Sequence, residues 1–295
     1  MPSCTPGGST TVHYGFCLPA DGETSWGTAW RSTVTAIAQE IFNVGIPRSY
    51  LAGMQTTPTQ SSTSISIAQG VAMGNDQATA IRLTSALVKI LSTSWAVGTG
   101  NGGLYAATSI QGNQTYHLHA ILRTDTSVVD AYFDTVATAV NIPSPYTIYR
   151  RLASFTTDGN SNIASYTQDG DYFRLATAVA DYNATPSATA FTQRLASVPS
   201  GTPMQGLFNV LWTAGGGGSA DFAYVSDTTT SNQAPSNTTV PGVICTGPGV
   251  GAVFGFGSYQ VRTNVQGQVR IRSSTGAGTL MLGTLGWFDT RGRND

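Results

Sequence analysis

The chain has 295 residues, enough for one large β domain or two smaller ones. Only 10% of its residues are charged, against roughly 25% in an ordinary soluble protein, and the net charge is -1. This balance excludes a field that would gather nucleic acid or an anionic membrane surface. No run approaches the ~18 consecutive apolar residues of a membrane-spanning helix, so no membrane insertion is expected.

Residues 1 to 24 are rich in turn formers, with PGG and ADG as breaks and one strand-like run from His13 to Leu18. A basic stretch followed by an apolar one is absent there, so no secretory signal is expected. Trp26, Trp30, Val34, Ile37 and Ile41 then recur at spacings of three and four. That period predicts an amphipathic helix over 26 to 43, ended by Gly45 and Pro47. Its single narrow apolar stripe suits a docking contact or a contact between copies of the chain.

From Tyr50 to Met73 polar and apolar residues alternate, and Ile81 to Leu83 reads as another short strand. Residues 84 to 95 fit a helical turn or a strand equally, and GTGNGG at 98 to 103 reads as a loop. A clear strand follows, with Tyr116, Leu118, Ala120 and Leu122 on one face and His117, His119, Ile121 and Arg123 on the other. Val128 to Phe133 is expected to return beside it as a hairpin partner. Ile148 to Phe155 and Ile163 to Gln168 are expected to form a second hairpin around TDGNSN. Tyr172 to Ala176 follows the DGD turn. Gly206 to Thr213 places Phe208, Val210 and Trp212 on one face. GGGGS at 215 to 219 marks a hairpin tip or a linker. Further strands are expected at Phe222 to Val225, Ser258 to Thr263, Gln268 to Arg272 and Leu280 to Leu285. The predicted fold is mainly β, an antiparallel β-sandwich or jelly roll with a short N-terminal amphipathic helix. The predicted division is an attachment segment, 1 to 46, and a β domain, 47 to 295, with a possible split near 215 to 219.

Several constellations qualify as candidate sites. Cys4, Cys17 and Cys245 match neither a disulfide framework nor a zinc site; free thiols are expected, with a Cys4–Cys17 bridge as the alternative. His117 and His119 form an HxH pair that could converge on one metal ion; the alternative is two polar residues on a half-exposed sheet face. Asp158, Asn160 and Asn162 repeat the opening of a calcium loop, but Ile163 stands where the loop needs glycine, which favours a hairpin turn. The three histidines, His13, His117 and His119, are not accompanied by a GxSxG elbow. Asp169, Asp171, Asp181 and Asp221 are the conceivable glycosidase carboxylates. GTGNGG and GPGVGAVFGFG lack the ending of a phosphate loop. No catalytic residue and no cofactor are expected. Trp95, Trp212, Tyr224 and Trp287 could flank sugar rings or fill the core. The polar, charge-poor loops favour a neutral glycan, with contact residues unknown.

Three stretches carry a family likeness. YGFCLPADGETSWGTAW with the following helix, the middle from SWAVGTGNGG through TYHLHAILRTDTSVVDAYFDT to YTQDGDYF, and the ending QVRTNVQGQVRIRSSTG to GWFDTRGR resemble the fibre and tail-appendage proteins of tailed bacteriophages. The resemblance covers most of the chain. It implies a non-enzymatic virion protein, assembled in the host cytoplasm as a homotrimer. Such a protein would be attached through its N-terminus to other virion proteins of the tail, baseplate or capsid, and would bind a bacterial surface polysaccharide. The alternatives are a purely structural head-fibre, decoration or baseplate protein, and a glycan depolymerase. The absence of heptads and shaft repeats implies a stubby fibre, a tip or a knob.

Overall fold

The computed structural model describes residues 49–105, 109–213, 221–236, 238, 244–246 and 254–293, together with 9, 10, 17, 18, 32, 34 and 37. The chain divides into two compact units, Met1–Tyr50 and Leu51–Asp295. In the first, β1 (Ser9–Thr10) pairs antiparallel with β2 (Cys17–Leu18). Residues 32, 34 and 37 are helical, and Val34 and Ile37 are exposed. Trp26, Trp30 and Ile41 lie outside the described residues.

Among the described residues the second unit is mainly β and shows four sheets, an arrangement consistent with a β-sandwich. Its strands to residue 134 are β3 (Leu51–Gly53), β4 (Thr56–Pro58), β5 (Ser64–Ile67), β6 (Gly70–Met73), β7 (Ala80–Leu83), β8 (Leu87–Ser94), β9 (Asn101–Leu104), β10 (Thr115–Leu122) and β11 (Val129–Asp134). There follow β12 (Ile148–Thr156), β13 (Tyr166–Asp169), β14 (Tyr172–Ala184), β15 (Phe191–Arg194), β16 (Gln205–Thr213), β17 (Asp221–Ser226), β18 (Ile244–Thr246), β19 (Phe254–Arg262), β20 (Gln268–Ser273) and β21 (Thr279–Phe288). A seven-stranded sheet runs β12-β10-β11-β9-β8-β5-β4. A five-stranded sheet runs β13-β14-β21-β16-β19, a four-stranded one β15-β20-β17-β18, and a three-stranded one β3-β6-β7.

Period-two alternation places the core. In β16 and β20 every second residue is buried: Phe208, Val210 and Trp212, then Val269 and Ile271. These side chains join Phe173, Leu280, Leu282, Trp287, Ala223 and Val225 in one core with Tyr116, Leu118, Ala120 and Leu122 of β10. Each such side chain contributes about 1.5–3 kcal/mol by leaving water. Ring contacts lead from Phe133 to Phe155, Tyr166, Phe173 and Trp287, linking the seven-stranded sheet to the five-stranded one. Polar bonds reinforce the link. The buried Thr56 of β4 donates its N–H to Gln168 Oε1 at 2.6 Å, and its hydroxyl meets Gln168 and Tyr166.

The β10–β11 hairpin forms as expected, with Leu122 opposite Val129. Three expectations are corrected. Residues 84–95, ambiguous in sequence, end in strand β8, and the expected loop at 98–103 runs into strand β9. The fold is not wholly antiparallel: β9 lies parallel to both β8 and β11. Parallel neighbours ordinarily need a crossover of about a dozen residues. Here residues 95–100 reverse the chain twice, with Gly98 and Gly100 at φ 99° and 76°, a conformation that suits glycine. The expected hairpin around TDGNSN is reduced to the single bridge Thr157–Ile163, because β12 pairs with β10 and β13 with β14. The strands on either side of the Gly-rich run at 215–219 fall in different sheets, β16 in the five-stranded one between β19 and β21 and β17 in the four-stranded one.

Candidate functional site

The HLH strand is buried on both faces. Opposite the main core, Ile121, Tyr132, Ala139 and Tyr146 form a second small cluster under residues 135–147. Asp134 ties that segment down by accepting the backbone N–H groups of Val136 and Asn141, the Asn141 side-chain amide and the Tyr132 hydroxyl. His117 and His119 lie beneath this cover with no exposure. The expected half-exposed face is therefore overturned. Among the described residues, no group of three or more His, Cys, Asp or Glu side chains could hold a metal ion.

A β-bulge organises this face. The β10–β12 register shifts between Leu118 and His119, so Arg151 stands opposite His119 while Ser154 stands opposite His117. The extra residue brings Arg151 and Ser154 onto the same side. Arg151 Nη1 donates to Ser154 Oγ at 2.8 Å and to both oxygens of Asp289 at 2.7 Å. Ser154 Oγ also meets His117 Nδ1 at 2.8 Å, so the hydroxyl bridges the guanidinium and the imidazole. His119 donates from Nε2 to Ala137 O at 3.0 Å and stacks on Tyr132. Burial holds both imidazoles neutral. His117 is driven well below its ordinary value by burial, then by His119 and Arg151, and His119 is lowered to about 4, chiefly by burial. Ser154 and His117 thus have the contact of a nucleophile and base, but both are fully buried and out of a substrate's reach.

Beside this floor a cleft of about 290 Å³ opens. The turn after β6 supplies Asn75 and Gln77, the covering segment supplies Ala137 and Thr138, and β12 supplies Tyr149, Arg150 and Arg151, with Gly292 on the remaining side. Asn75 and Tyr149 are locked together: Asn75 N–H donates to Tyr149 O, and Tyr149 N–H donates to Asn75 Oδ1. Arg150 donates from Nε to Arg291 O at 2.8 Å. The half-exposed Tyr149 ring, with its edge contact to His119, is backed by a fixed wall. The side chains of Asn75, Gln77 and Thr138 around one aromatic ring form a surface that can hydrogen-bond a polyhydroxylated ligand and cover an apolar sugar face, while Arg150 and Arg151 are buried in its wall. A shallower groove of about 380 Å³ crosses β16, β19 and β21 at Asn209, Leu211, Ser258 and Met281, but no titratable group lines it.

The other sequence candidates resolve individually. Asp158 Oδ1 accepts the N–H groups of Asn160 and Asn162, an inward use of the carboxylate that makes a turn. Asp171 pairs with Arg291 and Arg293. Asp181 accepts from Ser197 N–H and the Thr284 hydroxyl, and Asp221 from Phe222 N–H and the Ser274 and Thr275 hydroxyls. Trp212 and Trp287 are fully buried core residues, and Trp95 donates to Ala131 O while meeting Tyr146 edge-on. Sequence reasoning missed Asn75, Gln77, Tyr149, Arg150 and Arg151. The adjacent arginines in a charge-poor strand were the available signal.

No protein-family model matches the chain, and comparison with curated proteins finds no similar sequence.

Proposed function

We propose that the chain is a bacteriophage virion protein, a fibre or tail appendage that works by binding. Its β unit, read as a β-sandwich, presents a ligand site. Its N-terminal segment, through the stripe that includes Val34 and Ile37, attaches to the particle or to copies of itself in a homotrimer. The target is a bacterial surface polysaccharide. The observation that carries this reading is the cleft around Tyr149: an aromatic ring fixed by Asn75 and flanked by Gln77 and Thr138. The charge-poor, β-rich make-up and the sequence resemblance support the same reading.

The test uses the purified full chain on an array of bacterial surface polysaccharides. Binding to one of them, lost in Tyr149→Ala with Gln77→Ala while the unfolding midpoint stays within a few degrees, is expected. Sedimentation should show a trimer. Failure to bind any polysaccharide, or binding indifferent to the double variant, overturns the cleft as the site. Release of reducing sugar from a bound polysaccharide would replace the binding reading with a depolymerase.

A further inference from the structure

Lys89 is the single lysine in the sequence, and it has no exposure to solvent. It meets Asp130, also buried, across the start of β9. Lys89 Nζ lies 3.1 Å from Asp130 Oδ1 and 3.4 Å from Oδ2. The nitrogen therefore lies against the whole carboxyl group rather than against one of its oxygens.

The surroundings suit a reaction between the two. Ala96 O at 2.7 Å and Gly98 O at 3.2 Å accept from Nζ. A neutral amine satisfies these two carbonyls with its two protons and turns its lone pair to the carbon. Each carboxyl oxygen already has a backbone donor: Ala131 N–H at 2.7 Å on Oδ1 and Gly98 N–H at 2.9 Å on Oδ2. Fixed donors of this kind stabilise the oxyanion of an acyl addition. The Trp95 ring, 5.6 Å from Nζ, helps to close the site. Burial lowers the lysine's proton affinity, against the pull of Asp130.

We propose that Lys89 and Asp130 are joined by an intramolecular amide bond that forms once the sheet has folded around them. Nζ passes a proton to the carboxylate and attacks its carbon. One N–C bond forms and one C–O bond breaks. Of the three ammonium protons, two leave with that oxygen as water and one stays on the amide nitrogen. The reaction consumes no co-reactant and changes no oxidation state. The product bolts β8 to β11 across β9.

The test is the intact mass of the denatured full chain, followed by peptide mapping. The expected result is a mass lighter by one water than the sequence requires, with the Lys89 and Asp130 peptides recovered as one branched species. Lys89→Arg and Asp130→Ala should each restore the full sequence mass. Because the protein is denatured before weighing, the variants need not be stable to be informative. A wild-type chain of full sequence mass, whose Lys89 peptide is acetylated quantitatively by an amine reagent after denaturation, overturns the proposal and leaves a buried ion pair. A missing water mapped elsewhere overturns it equally.

Discussion

Arg151 holds Asp289 through one nitrogen, Nη1, which lies 2.7 Å from both carboxylate oxygens, and the pair ties β12 to the residue following β21. Both side chains are buried, so removal of one leaves the other's charge stranded. Asp289→Ala is expected to lower stability by about 3–5 kcal/mol, whereas Arg151→Met with Asp289→Leu should lose less than the single change. Urea unfolding of the three proteins compares them directly.

Acid should weaken the fold through the covered histidines. The folded chain keeps His119 neutral down to pH about 4, while the unfolded chain takes up its proton near pH 6.5. Across that window the unfolded state binds more protons, so stability falls as pH falls. His119 alone should account for a loss on the order of 3 kcal/mol between pH 7 and 4. Urea midpoints measured against pH should show the slope, and His119→Gln should flatten it.

Gly201 has φ 91°, and a Cβ there would come within 2.6 Å of His117 Nε2. Gly201→Ala therefore combines backbone strain with a collision against a fully buried ring. A loss of about 1–3 kcal/mol is expected from the backbone alone. Thermal unfolding of the variant checks this, and an unchanged midpoint would contradict the assigned conformation.

Gln168→Leu should cost about 1–3 kcal/mol, because it leaves the buried Thr56 N–H and hydroxyl without the oxygen they share. Amide hydrogen exchange offers a local readout: faster exchange at Thr56 than at the distant β16 is the expected pattern.

Strand positions were legible because alternation and turn residues are local signals. The Tyr116–Leu122 face, the hairpin to Val129 and the Phe208–Val210–Trp212 face all follow from them. Partner choice was not legible. Nothing near β12 in sequence indicates that it joins β10 while β13 joins β14, or that β9 enters parallel between β8 and β11. The HLH face misled for a physical reason: polar residues usually mark a solvated face, but here a bulge and the segment anchored by Asp134 bury them with their partners. Lys89 was hidden in the same way, its Nζ donating to carbonyls of a stretch whose composition reads only as a loop. The cleft draws on residues separated by more than 200 positions, from Asn75 to Gly292, a juxtaposition that only the fold creates.

The order of strands in the five-stranded sheet sets a schedule for biosynthesis. β21 lies between β14 and β16, and β16 has β19 as its other neighbour. A nascent chain that has just released β14 and β16 from the ribosome therefore carries two strands whose shared neighbour has not been translated. The sheet can close only after residue 288 emerges. Until then one edge of β16, the strand that carries Phe208, Val210 and Trp212, lacks its partner, even though the unit's first hairpins are local.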